Sequence, residues 1–217
     1  MDLETARVNM IKQQLRTCDV LDGEILQLLQ ETARENFVPE QYRELAYADF
    51  NIPIGHGQVM MTPVEEGQIL QALKIKSTDK ILEIGTGSAY LTALLAQLGS
   101  QVISIDCFPE FVEPAKEKLH QIGLNNVTMV CSDGSNGWQS QAPFDVIVIT
   151  ASVVSLPDSF RQQLDSGGRI FVILGTAPVM EATLISQGVQ GQFQTEKLFE
   201  TELTTMICEG EKTPFIF

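Results

Sequence analysis

The feature that most restricts the fold of this chain is a strand followed at once by a glycine-containing turn and a helix. Residues 80–84 form a short apolar run typical of a strand, Gly85-Thr86-Gly87-Ser88-Ala89-Tyr90 follows directly, and residues 90–98 have the pattern of a buried helix. In such sheets ligands bind beyond the carboxyl ends of the strands, where glycine lets the backbone approach them closely. The turn therefore predicts a site for a nucleotide-like ligand.

The alternation of strands and helices continues along the chain. Further strands are predicted at residues 102–105, 127–130, 144–149 and 169–174, and helices at residues 109–122 and 158–164. Alternation of this kind predicts right-handed crossovers and a mainly parallel, doubly wound α/β sheet with helices on both faces. Residues 182–185 and 192–217 are strand-rich with no helix between them, which predicts antiparallel strands at the sheet edge.

The N-terminal part of the chain has a helical pattern instead. Helices are predicted over residues 6–15 and from Leu21 to the break at Phe37-Val38-Pro39, while residues 47–58 have the glycine and proline content of a loop. We therefore expect a single domain over residues 1–217, with a helical region and acceptor loop at residues 1–78. The α/β ligand-binding core and its strand-rich C-terminus occupy residues 79–217.

A helix start is predicted at Thr62-Pro63-Val64-Glu65. Thr62 is expected to cap the helix, Pro63 suits the first helical position, and Glu65 stands where a capping box closes.

Composition excludes several classes of partner. The 217 residues carry 28 Asp and Glu against 14 Lys and Arg, for a formal net charge of -14, so release of counterions from a nucleic acid would not drive binding. No run approaches the roughly 18 apolar residues of a membrane span, and the start Met1-Asp2-Leu3-Glu4 lacks the basic residues of a signal peptide. We expect a cytoplasmic protein without nucleic-acid or membrane partners, and the sequence leaves its oligomeric state open.

The cysteines give no sign of a metal site or a disulfide framework. Cys18, Cys107, Cys131 and Cys208 are far apart and form no CxxC pair, so free thiols and no bound metal are expected.

Two cofactors compete for the glycine turn. The dinucleotide fingerprint requires a third glycine at the position that Tyr90 occupies. Glu83, two positions before Gly85, is unfavourable beside two phosphates but favourable beside the amino and sulfonium groups of S-adenosylmethionine. The charge pattern therefore favours the methyl donor over a nicotinamide dinucleotide.

Carboxylates also follow the next two strands. Asp106 lies 19 positions after Gly87, near the spacing of about 20 expected for a residue that accepts from ribose hydroxyls, a role that either cofactor would use. Asp133 follows the third strand, where it can accept from an adenine amine. The alternative is that these acidic residues only cap turns. The predicted cofactor-binding residues are Glu83, Gly85, Thr86, Gly87, Ser88, Asp106, Cys107, Ser132, Asp133 and Gly134.

Several motifs, in order from about residue 10 to residue 175, resemble protein-L-isoaspartate O-methyltransferases, and the C-terminal segment matches less well. They are Arg34-Glu35-Asn36-Phe37-Val38-Pro39, Ala46-Tyr47-Ala48-Asp49, residues 52–58, residues 82–90, Ser132-Asp133-Gly134, residues 142–145 and residues 163–168. The resemblance implies a Rossmann-like methyltransferase fold with S-adenosylmethionine as cofactor. It also implies methylation of the free carboxylate of isoaspartyl residues in damaged proteins and peptides.

The same resemblance implies roles for individual residues. Glu83, Gly85 and Gly87 would hold the methionine part of the cofactor and Asp106 the ribose. Asp133 and Gly134 would lie beside the adenine.

One motif departs from the family pattern of Gly-Gln-Thr-Ile-Ser-x-Pro. This chain has Gly57-Gln58-Val59-Met60-Met61-Thr62-Pro63, so Met61 stands in the position of the serine taken to be catalytic and Val59 in that of the threonine. Neither side chain can donate a hydrogen bond to a carboxylate. Loss of one orienting donor is expected to slow methyl transfer about a hundredfold, and Met61→Ser is expected to raise it.

The catalytic candidates at this departure are Met61, Thr62 and His56. Thr62 offers a hydroxyl, although capping the helix is the favoured role for it. His56 lies between two glycines, where a loop hydrogen bond is the alternative to catalysis. Thr150-Ala151-Ser152, after the fourth core strand, is expected to line the acceptor pocket.

Three functions remain compatible with the sequence. The first is an isoaspartyl methyltransferase of weakened activity, the second a methyltransferase of the same ancestry with another acceptor, and the third a non-catalytic protein that binds S-adenosylmethionine. Met60-Met61 argues against full activity, and the intact strand ends argue against loss of cofactor binding.

Overall fold

The structure is a computed structural model that describes residues 2–188 and 191–207. The last part of the predicted strand-rich C-terminus, residues 208–217, lies outside the described residues, as does Cys208.

The N-terminal region is helical, as predicted, with shifted bounds. Helix α1 (Leu3–Asn9) begins where the Asp2 side chain accepts from the Glu4 amide, and the chain continues in π-helical geometry over Met10–Leu15. Helix α2 (Gly23–Glu31) is capped by Asp22 and buries one apolar side.

The prediction of a loop over residues 47–58 is wrong in part, because strands β1 (Ile52–Gly55) and β2 (Gln58–Met60) form an antiparallel hairpin. Ile52 pairs with Met60, and both side chains are buried in the core. Burial of this residue pair stabilises the hairpin despite its glycine and proline content. The same glycine and proline residues obscured the alternation of buried and exposed residues that indicates a strand.

The predicted helix start is confirmed in helix α3 (Pro63–Leu73). The Glu65 amide donates to Thr62 Oγ1 over 3.2 Å, and the Thr62 amide donates to Glu65 Oε2 over 2.8 Å. The Thr62 hydroxyl oxygen is therefore part of the helix cap.

A seven-stranded sheet forms the centre of the structure, in the spatial order β5-β4-β3-β6-β7-β8-β9. Its strands are β3 (Lys80–Ile84), β4 (Gln101–Asp106), β5 (Val127–Cys131), β6 (Phe144–Val153), β7 (Leu164–Thr176), β8 (Val179–Gln187) and β9 (Phe193–Thr201). The pairs from β5 to β7 are parallel, and β8 and β9 continue the sheet as antiparallel strands. The predicted α/β sheet with an antiparallel edge is thus confirmed.

Two of the parallel strands extend well beyond their predicted ranges. Strand β7 begins at Leu164 and runs through Gly167 and Gly168, where a helix end was expected, and helix α6 (Asp158–Gln162) is correspondingly shorter. Strand β6 continues to Val153, because the C-terminal segment bonds to it: the Ser152 amide donates to Thr204 O over 2.9 Å.

Alternate residues of the core strands serve two apolar cores. Ile81 and Val102 pack on the side that carries helices α2 and α3 together with helix α4 (Tyr90–Leu98). Leu82 and Ile103 pack with Phe160 on the opposite face. Helix α5 (Pro109–Gln121) follows β4 and contacts β4 and β5. Across the described ranges, none of the helices has the length and apolar character to cross a membrane.

Candidate active site

A cavity opens beyond the carboxyl ends of β3, β4, β5 and β6, with the hairpin and the C-terminal segment over it. Parallel strands leave backbone groups and loop side chains together at this edge of the sheet. Its lining includes six of the predicted cofactor-binding residues: Gly85, Gly87, Asp106, Cys107, Ser132 and Gly134.

The backbone at Gly85 closely approaches Thr150. Gly85 has a φ of 99°, and a Cβ atom there would lie 2.2 Å from Thr150 Oγ1. The same hydroxyl donates to the carbonyl oxygens of Ile84 and Gly85 over 3.0 Å each. Only glycine fits this position, so the end of β3 presents bare backbone to the cavity.

The Asp106 carboxylate is fixed by the backbone around it. Its Oδ2 accepts from the Gly87 amide and its Oδ1 from the Phe108 amide, each over 3.0 Å. The side chain is 8% exposed and lines the cavity. Each oxygen retains a lone pair with which it can accept from a ligand hydroxyl.

Glu83 and Thr86 lie beneath the glycine turn rather than on the cavity lining. Glu83 Oε2 accepts from Thr92 Oγ1 and Ser104 Oγ, each over 2.6 Å, and Thr86 Oγ1 lies 2.7 Å from Ser104 Oγ. Within the described residues Glu83 Oε1 has no hydrogen-bond partner. Burial raises the pKa of Glu83 to about 7, against the hydrogen bonds from Ser104 and Thr92. The direct contact with the cofactor that the sequence predicted for Glu83 and Thr86 remains a prediction.

Two further predicted cofactor residues lie beside the cavity. Ser88 lines a neighbouring groove together with Pro114 and Lys118. Asp133 Oδ1 accepts from the Ser135 amide over 2.8 Å, which shapes the turn that brings Gly134 against Ile84. Of the ten predicted cofactor residues, the structure therefore brings six to one surface and places the other four around it.

His56 lies in the turn of the hairpin and is not one of the residues that line the cavity. Its ring stacks on Phe108 with centroids 4.3 Å apart and meets the edge of Phe111 at 5.4 Å. His56 Nε2 lies 3.8 Å from Glu110 Oε2. Phe108 and Phe111 line the cavity, so His56 contacts two lining residues without lining the cavity itself.

Met61 and Thr62, the other catalytic candidates, are not among the residues lining this cavity. The Met61 side chain is 6% exposed and belongs to the apolar core, and its carbonyl oxygen accepts from Arg34 Nη2 over 2.5 Å. Arg34 is fully buried and pairs with Glu66. The structure therefore does not bring the side chains at positions 61 and 62 to the predicted cofactor residues.

The cavity wall above β6 contains residues that the sequence did not single out. We call it the β6 wall; it consists of Gln58, Val59, Thr150, Ala151 and residues 204–207. Thr150 and Ala151 were expected there, whereas Ser152 is buried and donates to Leu203 O over 3.2 Å. Gln58 could have been noticed because it directly precedes the positions at which this chain departs from the family motif. No motif in the sequence pointed to residues 204–207 as part of the site.

Comparisons of the sequence with known proteins identify the same family over most of the chain. The sequence profile of the family "Protein-L-isoaspartate(D-aspartate) O-methyltransferase (PCMT)" matches residues 6–207. Protein-L-isoaspartate O-methyltransferase 2 of Marinobacter nauticus is 39% identical over 175 residues, which cover 81% of this chain and 80% of that protein. Protein-L-isoaspartate O-methyltransferase of Koribacter versatilis is 36% identical over 208 residues, covering 96% and 93%.

Solved structures show the same fold. A protein-L-isoaspartate O-methyltransferase superposes with a TM-score of 0.77 at 24% identity, covering 92% of this chain and 65% of that one. A Plasmodium falciparum protein described as a protein-L-isoaspartate O-methyltransferase, in complex with S-adenosyl-L-homocysteine, gives 0.79 at 17% identity, covering 93% and 98%.

Proposed function

The chain belongs to the protein-L-isoaspartate O-methyltransferase family, and we propose that it transfers the methyl group of S-adenosylmethionine to the free carboxylate of L-isoaspartyl residues in damaged proteins. The acceptor is thus a protein or peptide that bears isoaspartate. The structural observation that carries the proposal is the Asp106 carboxylate, held by two backbone amides beside the bare glycine backbone at the end of β3.

The residues of the cavity fit S-adenosylmethionine. Asp106 offers one lone pair on each oxygen, which suits two neighbouring ribose hydroxyls. Ile84, Ile105 and Phe111 give apolar surface for a flat base. Gly134 also belongs to this lining, and a Cβ atom there would lie 3.0 Å from Ile84 Cδ1, so a larger residue would disturb the lining.

The reaction does not require the protein to transfer a proton. Bound S-adenosylmethionine supplies an electrophilic methyl group on a positively charged sulfur. The acceptor carboxylate is already ionised near neutral pH, so no residue has to act as a general base. The chain's own tasks are to hold the two partners in line and to exclude water, which Ile54, Val59 and Met206 do at the cavity wall.

The proposed setting follows from charge and cysteine chemistry. The net charge of -14 opposes nucleic-acid partners. Among the described residues, Cys18, Cys107 and Cys131 form no disulfide with one another, and free thiols suit the reducing cytoplasm, where we propose that the protein acts. We also propose that residues 1–78 and 79–217 work as one domain, since the hairpin and the sheet line one cavity.

Methyl transfer to matched peptides tests the proposal. We would measure cofactor binding by calorimetry, then transfer of labelled methyl from S-adenosylmethionine to an isoaspartyl peptide and to its aspartyl twin. Transfer to the isoaspartyl peptide alone is the expected result. Cofactor binding without transfer to either peptide would refute the acceptor and point to a methyltransferase with another substrate.

A further inference from the structure

The β6 wall brings a hairpin glutamine against a threonine of the C-terminal segment. Thr204 Oγ1 lies 2.7 Å from Gln58 Oε1, across 146 positions of sequence. At this contact only the hydroxyl carries a proton, so Thr204 donates and the Gln58 carbonyl oxygen accepts. The contact orients the Gln58 amide, because its oxygen end is held by Thr204.

The other end of this amide keeps a donor for a ligand. Gln58 Nε2 makes one contact with the rest of the described chain, 3.5 Å from the His56 carbonyl oxygen, at the outer limit of a hydrogen bond. Gln58 is half-buried and lines the cavity. One N–H group is therefore available at the wall, and the other is engaged only in this long contact.

The order of the strands places this donor on the acceptor side. The predicted cofactor residues on the lining follow β3, β4 and β5, and β6 is the next strand on the other side of β3. A ligand whose ribose lies on Asp106 and whose remainder runs along the turn after β3 ends facing the β6 wall. An acceptor carboxylate that meets the far end of such a ligand would lie against that wall.

Apart from Thr205, which also lies on the wall, two hydroxyls at or near the wall already have partners. Thr150 Oγ1 donates to the carbonyl oxygens of Ile84 and Gly85, and Thr62 Oγ1 caps helix α3. Met61 is in the core. Within the described residues the cavity lining also contains no lysine or arginine, so neutral donors have to hold an ionised acceptor.

Resting on the function proposed above, we propose that Gln58 binds the acceptor carboxylate through its amide N–H group and that Thr204 is the residue that positions Gln58. A lone pair of the bound carboxylate oxygen forms the bond to the methyl carbon, and the carbon–sulfur bonding pair stays with sulfur. No proton moves, so Gln58 acts by orientation and leaves the carboxylate charged and nucleophilic. The amide thus supplies the donor that this chain lacks at Met61.

The test compares Gln58→Glu, Thr204→Val and Thr204→Ser with the unsubstituted protein. Gln58→Glu keeps the size and can still accept from Thr204 but sets a negative charge against the acceptor, and we expect kcat/KM for the isoaspartyl peptide to fall about a hundredfold. Thr204→Val removes the orienting hydroxyl and should lower kcat/KM about tenfold, whereas Thr204→Ser keeps it and should restore the original value. Calorimetric affinity for S-adenosyl-L-homocysteine should be unchanged in all three.

Matched controls and a pH profile separate this role from a structural one. Gln194→Glu and Thr195→Val make the same changes on exposed positions of β9, and neither should alter transfer. The defect of Gln58→Glu should shrink as pH is lowered from 8 to about 5.5, since a protonated carboxyl can donate.

The outcomes are distinguishable. If the unsubstituted protein methylates the isoaspartyl peptide and both Gln58→Glu and Thr204→Val do so equally well, the assignment is wrong. A parallel loss of cofactor affinity would also overturn it, because the wall would then serve the cofactor. If the unsubstituted protein neither binds nor methylates the isoaspartyl peptide, the proposed function itself fails, and this assignment fails with it.

Discussion

Arg34 Nη2 lies 2.5 Å from the carbonyl oxygen of Met61, so the position that the resemblance marks as catalytic is held through its backbone. The same guanidinium donates from Nε to Ala46 O over 2.9 Å and pairs with Glu66. Arg34 thereby ties the end of the hairpin to helix α3 and to the N-terminal region. The Met61 side chain points into the core that this arrangement encloses.

Met61→Ser is expected to destabilise the protein rather than to restore a donor. The side chain is 6% exposed, and its loss with burial of a hydroxyl should lower the free energy of unfolding by about 3 kcal/mol. The increase in methylation that the sequence predicts would require residue 61 to face the cavity, which it does not in this structure. Urea unfolding and peptide methylation of the two proteins check both statements. A several-fold rise in transfer at unchanged stability would contradict the placement of this side chain.

At pH 9, Glu66→Gln should cost about 3 kcal/mol or more of unfolding free energy, because it leaves the buried Arg34 charge without a counterion. Burial raises the pKa of Glu66 to about 8, against the attraction of Arg34, so the carboxyl is ionised above that pH. The matched control is Glu113→Gln, which breaks the exposed pair with Lys116 and should change stability by less than about 1 kcal/mol. Chemical denaturation of both variants at one pH measures the difference. Equal effects in the two variants would show that the Arg34 pair is not the anchor inferred here.

Gly85→Ala is expected to weaken cofactor binding more than about tenfold, because Cβ would meet Thr150 Oγ1 in a left-handed backbone conformation. Gly123→Ala is the matched control: its φ of 81° is equally unfavourable, but nothing lies within 4 Å of the added Cβ. Calorimetry with S-adenosyl-L-homocysteine should show the loss in the first variant only. Intact affinity in Gly85→Ala would mean that close approach of the backbone is not needed.

The sequence predicted the parts of this site that depend on local pattern. Strand β3, the glycine turn and helix α4 were predicted with their observed bounds, because apolar periodicity and glycine position act within a few residues. The Thr62 cap was predicted for the same reason. Asp106 was located because a carboxylate at the end of a parallel strand necessarily lies at the ligand edge.

The remaining parts depend on contacts between distant segments. The hairpin is stabilised by joint burial of Ile52 and Met60, which a short run with proline does not reveal. Gln58 and Thr204 meet across 146 positions, and no pattern in either segment encodes the partner. The position of Glu83 near the end of a strand could be predicted from the sequence. That its carboxylate lies beneath the turn depends on hydrogen bonds from Thr92 and Ser104, which belong to other elements.

The buried Glu83 carboxyl should make stability depend on pH between about 4.5 and 7. Burial raises the pKa of Glu83 from 4.5 to about 7 in the folded protein, so in this range the folded state binds more protons than the unfolded chain. The contribution of Glu83 is fully present below pH 4.5 and is lost as pH rises through 7, by about 3 kcal/mol. Glu83→Gln keeps an oxygen that accepts from Thr92 and Ser104 but cannot ionise. Relative to the unsubstituted protein, its unfolding free energy should therefore rise by about 3 kcal/mol between pH 4.5 and 8. Urea unfolding across this range, with the exposed Glu117→Gln as control, measures the slope, and a difference that does not change with pH would show that Glu83 stays ionised in the fold.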